Sequence, residues 1–443
     1  MTILTGTLTE ADHKTHVPLS FEVPPGITQL RGQFTASPAR ATSAIYDNLI
    51  SLSLFGPDGA RGARHNNEEM DFALSATMAT PGYLPGRIEP GRWTVWLDCF
   101  RILGPDPVVY RLEITCETRT VPTEPTARRK TPNSRGPGWY RGDLHAHSLH
   151  SDGSWDIPDL VAWARRRKLD FVTVSDHNTP SGHAELHALA DDSLLTIGGV
   201  ELTTHHGHAL SLGGSDWHEW RTGPVTGKTM PQLAQDVLDS GCTFVIAHPM
   251  APGDPACTGC RWDYDDMRPG PARLVEIWNG GPWSDYNENG LTLYRQWLCD
   301  GHRLLITAGS DIHGPEGSDG LIGFNMVEAD ALTEAAVLAA VRNGRSYLSS
   351  GPRLILTADT PDGRTVPMGG TVPQGSIVRA AWQTEGLPLR LAFYDASGMH
   401  LKRNLPADGF GTADSPCGSG FVMAELRDAA GLLHAVSNPI FVG

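Results

Sequence analysis

The sequence predicts an α/β domain in the middle of the chain, a barrel or a doubly wound sheet, with a β-rich domain on each side. Three observations carry this reading. Between residues 139 and 350, short apolar strands alternate with helical segments. Residues 1–125 and 351–443 show short alternating runs and no long amphipathic helix. The metal-ligand residue types of the middle segment recur at the ends of its strands. Nearly continuous apolar strands belong to a parallel sheet covered on both faces, and repeated βα units favour a barrel or doubly wound sheet. A chain of 443 residues is also too long for one ordinary core, so two or three domains are expected.

The elements follow in order. Ile45–Phe55 alternates in polarity and stops at the turn residues Gly56-Pro57-Asp58-Gly59; Arg92–Leu97 and Val108–Ile114 repeat the pattern. Residues 1–125 therefore read as a β-sandwich or jelly roll. A stretch rich in Thr, Pro, Arg and Ser leads into a linker at 126–138. Trp139–Gly142 reads as the end of a strand. Asp156 and Pro158 start a helix, as N-cap and first-turn residue, that runs through Lys168. Strands follow at Asp170–Val174, Leu194–Val200, Thr243–Ala247, Leu274–Trp278 and Arg303–Ala308, with helices at Met230–Asp239, Leu291–Cys299 and Leu332–Arg342. Beyond Gly351, Leu354–Thr357, Ser376–Trp382 and Leu391–Tyr394 read as strands of a small β-sandwich over 351–443.

Composition narrows the partners. The formal charge is −15 and the one basic cluster, Arg128-Arg129-Lys130, sits in the linker, which argues against a nucleic acid held through its phosphates. No secretory signal and no bilayer-spanning apolar run is visible, so no membrane partner is expected. Seven scattered cysteines do not make a disulfide framework, and a reducing cytoplasm is the expected compartment. Cys257-Thr258-Gly259-Cys260 reads as a loop pair, with a structural zinc as the lesser reading.

The chemistry-bearing residues fall on this map in a pattern. Asp143-Leu144-His145-Ala146-His147 leaves the first strand of the middle segment, with Asp152 in the loop that follows. Later strands lead into Ser175-Asp176-His177, Glu201, His248-Pro249 and Ser310-Asp311-Ile312-His313, and His208 follows Glu201 closely. One His at a strand end is more often a hydrogen-bonded structural residue than a ligand. Nine such groups at one edge of one sheet are another matter, because burying that many unpaired polar groups would cost several kcal/mol each. A metal cluster satisfies His145, His147, Asp152, His177, Glu201, His208, His248, Asp311 and His313 together. Imidazole with carboxylate suits zinc, manganese or iron.

These motifs resemble the PHP (polymerase and histidinol phosphatase) metallohydrolase superfamily over residues 139 to about 350. With Val275-Glu276-Ile277-Trp278-Asn279-Gly280, they are most similar to its carbaryl-hydrolase-like branch. The resemblance implies a distorted seven-stranded (β/α)7 barrel, flanked here by the two β-sandwich domains, and a cluster of two or three divalent metals. It implies that His145, His147, Glu201 and Asp311 hold one metal. Glu201 would bridge to a second, held with His208 and His248, and Asp152, His177 and His313 would hold a third. The expected function is hydrolysis of a small-molecule ester by hydroxide generated at the cluster. A phosphomono- or diester is the leading substrate class, because clustered metals suit an oxyanion with several charged oxygens. A carbamate or carboxyl or aryl ester is the alternative. A non-catalytic scaffold with a relic barrel is a further alternative, disfavoured because all nine positions carry a competent residue. Glu201 is the expected catalytic bridging residue, and the candidates for a general acid are His150, His183, His205 and His206. Trp262, Trp278, Trp283 and Tyr286 are candidates for an apolar pocket, against the commoner role of core aromatics. Whether the β-domains shape the mouth of the barrel or mediate homo-oligomerisation is open at this level.

Overall fold

The computed structural model describes residues 1–40, 45–65, 69–119, 130, 134–214 and 216–443. Within the expected linker, residues 126–129 and 131–133 lie outside the described residues, and so do Arg128 and Arg129 of the basic cluster.

The N-terminal region holds two four-stranded antiparallel sheets. One is ordered Thr2–Leu8, Val108–Glu117, Gln29–Ser37, Phe72–Ser75; the other is ordered Thr15–Val23, Gly91–Arg101, Leu49–Gly56, Gly59–Arg64. Side chains alternate across a strand, so each sheet presents one apolar face. Leu30, Phe34, Leu112 and Ile114 of the first share a core with Leu52, Leu54, Val95 and Leu97 of the second.

The middle segment contains strands β1 (Gly138–Asp143), β2 (Phe171–Val174), β3 (Leu195–Thr203), β4 (His208–Leu212), β5 (Thr243–Ile246), β6 (Leu274–Asn279), β7 (Leu305–Gly309) and β8 (Phe324–Ala329). They lie in the order β7-β6-β5-β4-β3-β2-β1-β8. The pairs β1/β2, β2/β3, β5/β6 and β6/β7 are parallel. The pairs β3/β4, β4/β5 and β8/β1 are antiparallel, so the sheet is mixed where the sequence pattern pointed to parallel strands. The cause at β4 is local. Thr204 turns the chain in a few residues, its N–H and hydroxyl both donating to the Gly207 carbonyl (3.3 and 2.7 Å). So short a connection makes a hairpin and cannot make a parallel crossover. At the other end the Asn325 side chain links β8 to β7, accepting from the Ala308 N–H (3.0 Å) and donating to the Ala308 carbonyl (2.6 Å).

Five helices cover this sheet among the described residues: α1 (Ile157–Arg166), α2 (His183–Ala188), α3 (Met230–Asp239), α4 (Asp285–Cys299) and α5 (Glu334–Arg342). Asp156 caps α1, accepting from the Asp159 N–H (2.8 Å). Helix α4 starts at Asp285 and not at Leu291 as its apolar pattern suggested. Ser284 caps it, and Asn287, in its first turn, is held by the main chain of Asn279 (3.0 and 3.1 Å). Among the described residues, no helix is long and apolar enough to cross a membrane.

Strand β9 (Ser346–Ser349) pairs antiparallel with β8 and also with Leu433–Ser437. The sheet therefore runs on into the C-terminal region, through Phe421–Arg427, Arg390–Asp395 and Gly398–Asn404. A separate four-stranded sheet, Thr365–Pro367, Arg353–Asp359, Ile377–Thr384 and Gly409–Pro416, faces it. Leu354, Leu356, Val378 and Ala380 of that sheet share a core with Phe393, Val422, Ala424 and Ala435 of the continuous one.

Candidate metal centre

The centre is assembled by chain segments just beyond the strand ends. After β1, the segment carrying His145 and His147 lies beside the one carrying Asp311 and His313. Ala146 pairs with Ile312, the Asp311 N–H donates to the His145 carbonyl (2.8 Å) and the His147 N–H to the Ile312 carbonyl (2.9 Å). Strand-like alternation then sends Ala146 and Ile312 into the apolar core and the four polar side chains to the other face. His177 and Glu201 pair in the same way beyond β2 and near the end of β3. Two ligand-type residues sit in the left-handed region of backbone space, His248 at φ 26° and Asp311 at φ 48°. Such conformations cost of order 1–3 kcal/mol and persist where surrounding structure imposes them, as it does at functional sites.

The nine residues singled out from the sequence come together. Their ligand atoms form overlapping sets: His145, His147, Glu201 and Asp311; Glu201, His208 and His248; and Asp152, His177 and His313 with His147. In the first set, His145 Nε2 lies 3.0 Å from His147 Nε2, 3.2 Å from Glu201 Oε2 and 3.4 Å from Asp311 Oδ1. His147 Nε2 lies 3.3 Å from Glu201 Oε2 and 3.0 Å from Asp311 Oδ1. A tetrahedral ion with bonds of about 2.0–2.1 Å separates its ligand atoms by roughly 3.3 Å, so this spacing is that of a coordination shell. Glu201 faces two ways: Oε1 lies 3.1 Å from His208 Nδ1 and 3.0 Å from His248 Nε2, and Oε2 lies 3.0 Å from His177 Nδ1. At the rim, Asp152 Oδ1 lies 3.5 Å from His177 Nε2 and 3.3 Å from His313 Nε2.

Whether cations fit is tested by the polar atoms left over. Glu201 Oε2 is buried beside three imidazoles yet accepts an aligned hydrogen bond from none. A buried carboxylate oxygen in that state is costly unless a cation takes its lone pair. The donor set, neutral imidazole with carboxylate, suits zinc, manganese or iron. Burial pushes the carboxyls of Glu201, Asp152 and Asp311 upward, but the facing imidazoles outweigh it and hold all three well below the usual carboxylate range. They are ionised, as ligands must be.

Outer partners fix the inner ones. Glu276, buried inside β6, accepts from His145 Nδ1 (3.1 Å) and from the His248 main-chain N–H (3.2 Å). The Cys260 carbonyl accepts from His248 Nδ1 (3.1 Å). Asp143 accepts from the main-chain N–H groups of His145 (3.2 Å) and Ser310 (2.9 Å) and from the Ser310 hydroxyl; burial pushes its carboxyl up to about 6. Asp176 gathers Ser148 and Ser151, shaping the loop that carries Asp152. Sequence reasoning missed Glu276 as an orienting group, although a lone carboxylate in the apolar run Leu274–Trp278 was the available signal.

The centre opens into a cavity of ≈ 280 Å³ lined by Asp152, His177, Glu201, His208, His248, Asp311 and His313. Leu49, His65 and Arg101 of the N-terminal region, with the loop around Cys257 and Cys260, also line it, and the His65 ring lies 4.7 Å from that of His177. Those two cysteines are paired with each other as a disulfide. The four general-acid candidates are not brought to this cavity. His150 is tied to the Ser181 hydroxyl (2.8 Å) and His183 to the Gly199 carbonyl (2.8 Å). His205 is buried under His16, its ring stacked at 4.4 Å, and burial holds it well below its ordinary range; His206 is exposed beyond it. Trp262, Trp278 and Trp283 are core aromatics, and the Tyr286 hydroxyl is spent on the Asn279 carbonyl (2.8 Å).

No family model and no curated protein matches this chain. Among solved structures, it is similar to a two-domain protein from Bacteroides vulgatus containing a predicted PHP-like metal-dependent phosphoesterase. Identity is 17%, the match covers 72% of this chain and 100% of that one, and the TM-score is 0.41. It is also similar to an amidohydrolase from Chromobacterium violaceum bearing sulfate, at 17% identity, over 40% of this chain and 89% of that one, with a TM-score of 0.29.

Proposed function

We propose that this protein is a metal-dependent hydrolase, and that its substrate is a phosphomono- or phosphodiester of a small molecule. One observation carries the reading: Glu201 offers one carboxylate oxygen to His208 and His248 and the other to His145, His147 and His177, the arrangement of a carboxylate shared by two cations. The run from β7 to β8 supports a distorted barrel that carries this centre at its strand ends. His145, His147, Glu201 and Asp311 would hold one divalent ion, His208 and His248 with Glu201 a second, and Asp152, His177 and His313 a third. Bound there, zinc, manganese or iron would supply Lewis acidity and acidify water near neutral pH.

The chain's own residues do the remaining work. Glu276 and the Cys260 carbonyl fix the imidazoles of His145 and His248, so that little reorganisation is needed on binding. His145 and His147 lie fully buried behind the centre. Asp152 and His313 stand at its rim, with side chains 32% and 39% exposed, and meet the substrate first. A cluster of this kind suits a phosphoryl group, whose several charged oxygens can each face a positive centre. The alternative, a carbamate or carboxyl or aryl ester, would use the same residues. The test is turnover of a panel of phosphomonoesters, phosphodiesters, aryl esters and carbamates after chelation and after reloading with Mn²⁺ or Zn²⁺. Phosphoester turnover lost on chelation and restored by metal supports the reading; activity in metal-free protein overturns it.

A further inference from the structure

The N-terminal region does more than sit beside the centre. Its strand Gly91–Arg101 ends at the cavity, and Arg101 lines that cavity while only 8% exposed. The guanidinium is pinned by main-chain carbonyls: Nε donates to Asp47 (2.6 Å), and Nη1 donates to Pro255 (2.9 Å) and Ala256 (3.3 Å). The Tyr46 ring lies 5.5 Å from it. Arginine has five N–H donors in a rigid fork, and those of Nη2 have no partner among the described residues. No carboxylate pairs with Arg101 among the described residues either; the Asp47 carboxylate is taken by Arg40. The neighbouring loop is itself anchored to the N-terminal region, by Lys14 on Asp254 (2.6 Å) and by Arg101. The result is a nearly buried, immobilised cation that no carboxylate touches among the described residues, with Asp47 and Asp254 acting on it only at longer range, in the same cavity as the metal-ligand residues. Taking a guanidinium out of water without an anion is costly, and a bidentate oxyanion is the partner its free edge fits.

We propose that Arg101 is the anion-binding residue of this cavity and that the substrate presents a charged oxygen, of phosphate or carboxylate, to its free edge. This rests on the hydrolase reading for the word substrate, but the anion site itself does not require turnover. Under this assignment the N-terminal region is part of the active site and selects against neutral esters.

Inorganic phosphate and benzoate, titrated separately into full-length metal-loaded protein by calorimetry, test it. Arg101→Met should weaken binding of at least one anion roughly 10- to 100-fold with metal content unchanged, and Arg101→Lys should retain an intermediate affinity. The anion that loses more names the group. Equal affinity in wild type and Arg101→Met overturns the proposal. A loss matched by loss of metal in both variants also overturns it, because Arg101 would then serve only to pin the loop. Failure of wild-type protein to hydrolyse any ester would count against the hydrolase reading and leave the anion titrations to be judged on their own.

Discussion

Glu276 Oε2 lies 3.1 Å from His145 Nδ1, and this one contact decides which nitrogen of His145 faces Glu201. A carboxylate behind a ligand imidazole also raises its basicity. Glu276→Gln keeps the volume and removes the charge. Metal affinity should fall roughly 10- to 100-fold, read by competition with a chelating dye, with the far-ultraviolet circular dichroism unchanged. Unaltered affinity would mean that Glu276 only fills space.

Gly309 lies at the end of β7, where an added Cβ would collide with Glu276 Oε1 and with the Cβ of His145. Gly309→Ala should therefore displace both side chains and cost metal affinity more than tenfold, although Gly309 is no ligand. The same dye competition checks it. The reason is steric, so Gly309→Ser should be no better tolerated.

Glu201 touches ligands of every set, so its loss should be felt everywhere. Metal bound at a hundredfold excess over Kd adds about 2.7 kcal/mol to stability. Wild-type protein should melt at a higher temperature with Mn²⁺ or Zn²⁺ than after chelation. Glu201→Ala should show little or none of that rise, and elemental analysis should find its metal content reduced. Wild-type stoichiometry in Glu201→Ala would refute the shared-carboxylate geometry.

His205 gives the pH dependence. Burial depresses its folded-state pKa well below the ordinary 6.5, so the unfolded chain binds a proton that the folded protein refuses. Stability must then fall as pH drops below about 6.5, with a limiting slope of about 1.4 kcal/mol per pH unit. His205→Phe keeps a ring to stack on His16 and removes the titration. The melting temperatures of the two proteins should diverge between pH 7 and pH 5, the wild type losing more. Parallel curves would exclude His205 as the source.

Much of the centre was legible because its ligands sit next to strands whose polarity pattern is unambiguous. His177 and Asp311 each follow an apolar run within a few residues, and such runs mark strand ends without knowledge of the neighbours; His145 and His147 stand out by their own i, i+2 spacing after Trp139–Gly142. Glu276 was harder, since a carboxylate inside a strand reads equally well as one half of an ion pair. Arg101 and His65 were beyond reach, because their place at the cavity depends on how two regions dock, and docking leaves no period in the sequence. Strand β4 was not read from the sequence at all, and its antiparallel sense is set by the turn at Thr204–Gly207. The general-acid candidates failed because proximity in sequence to a ligand says nothing of side-chain direction, and His205 points under His16.

The pairing of Ser346–Ser349 with Leu433–Ser437 has a bearing on how the chain is made. During synthesis the metal-binding segment emerges well before its sheet can be completed. Until residues 433–437 leave the ribosome, β9 offers a bare hydrogen-bonding edge and an uncovered apolar face, the kind of surface that recruits other nascent chains. A version cut near residue 350 would keep every metal ligand and should still be recovered chiefly in the insoluble fraction.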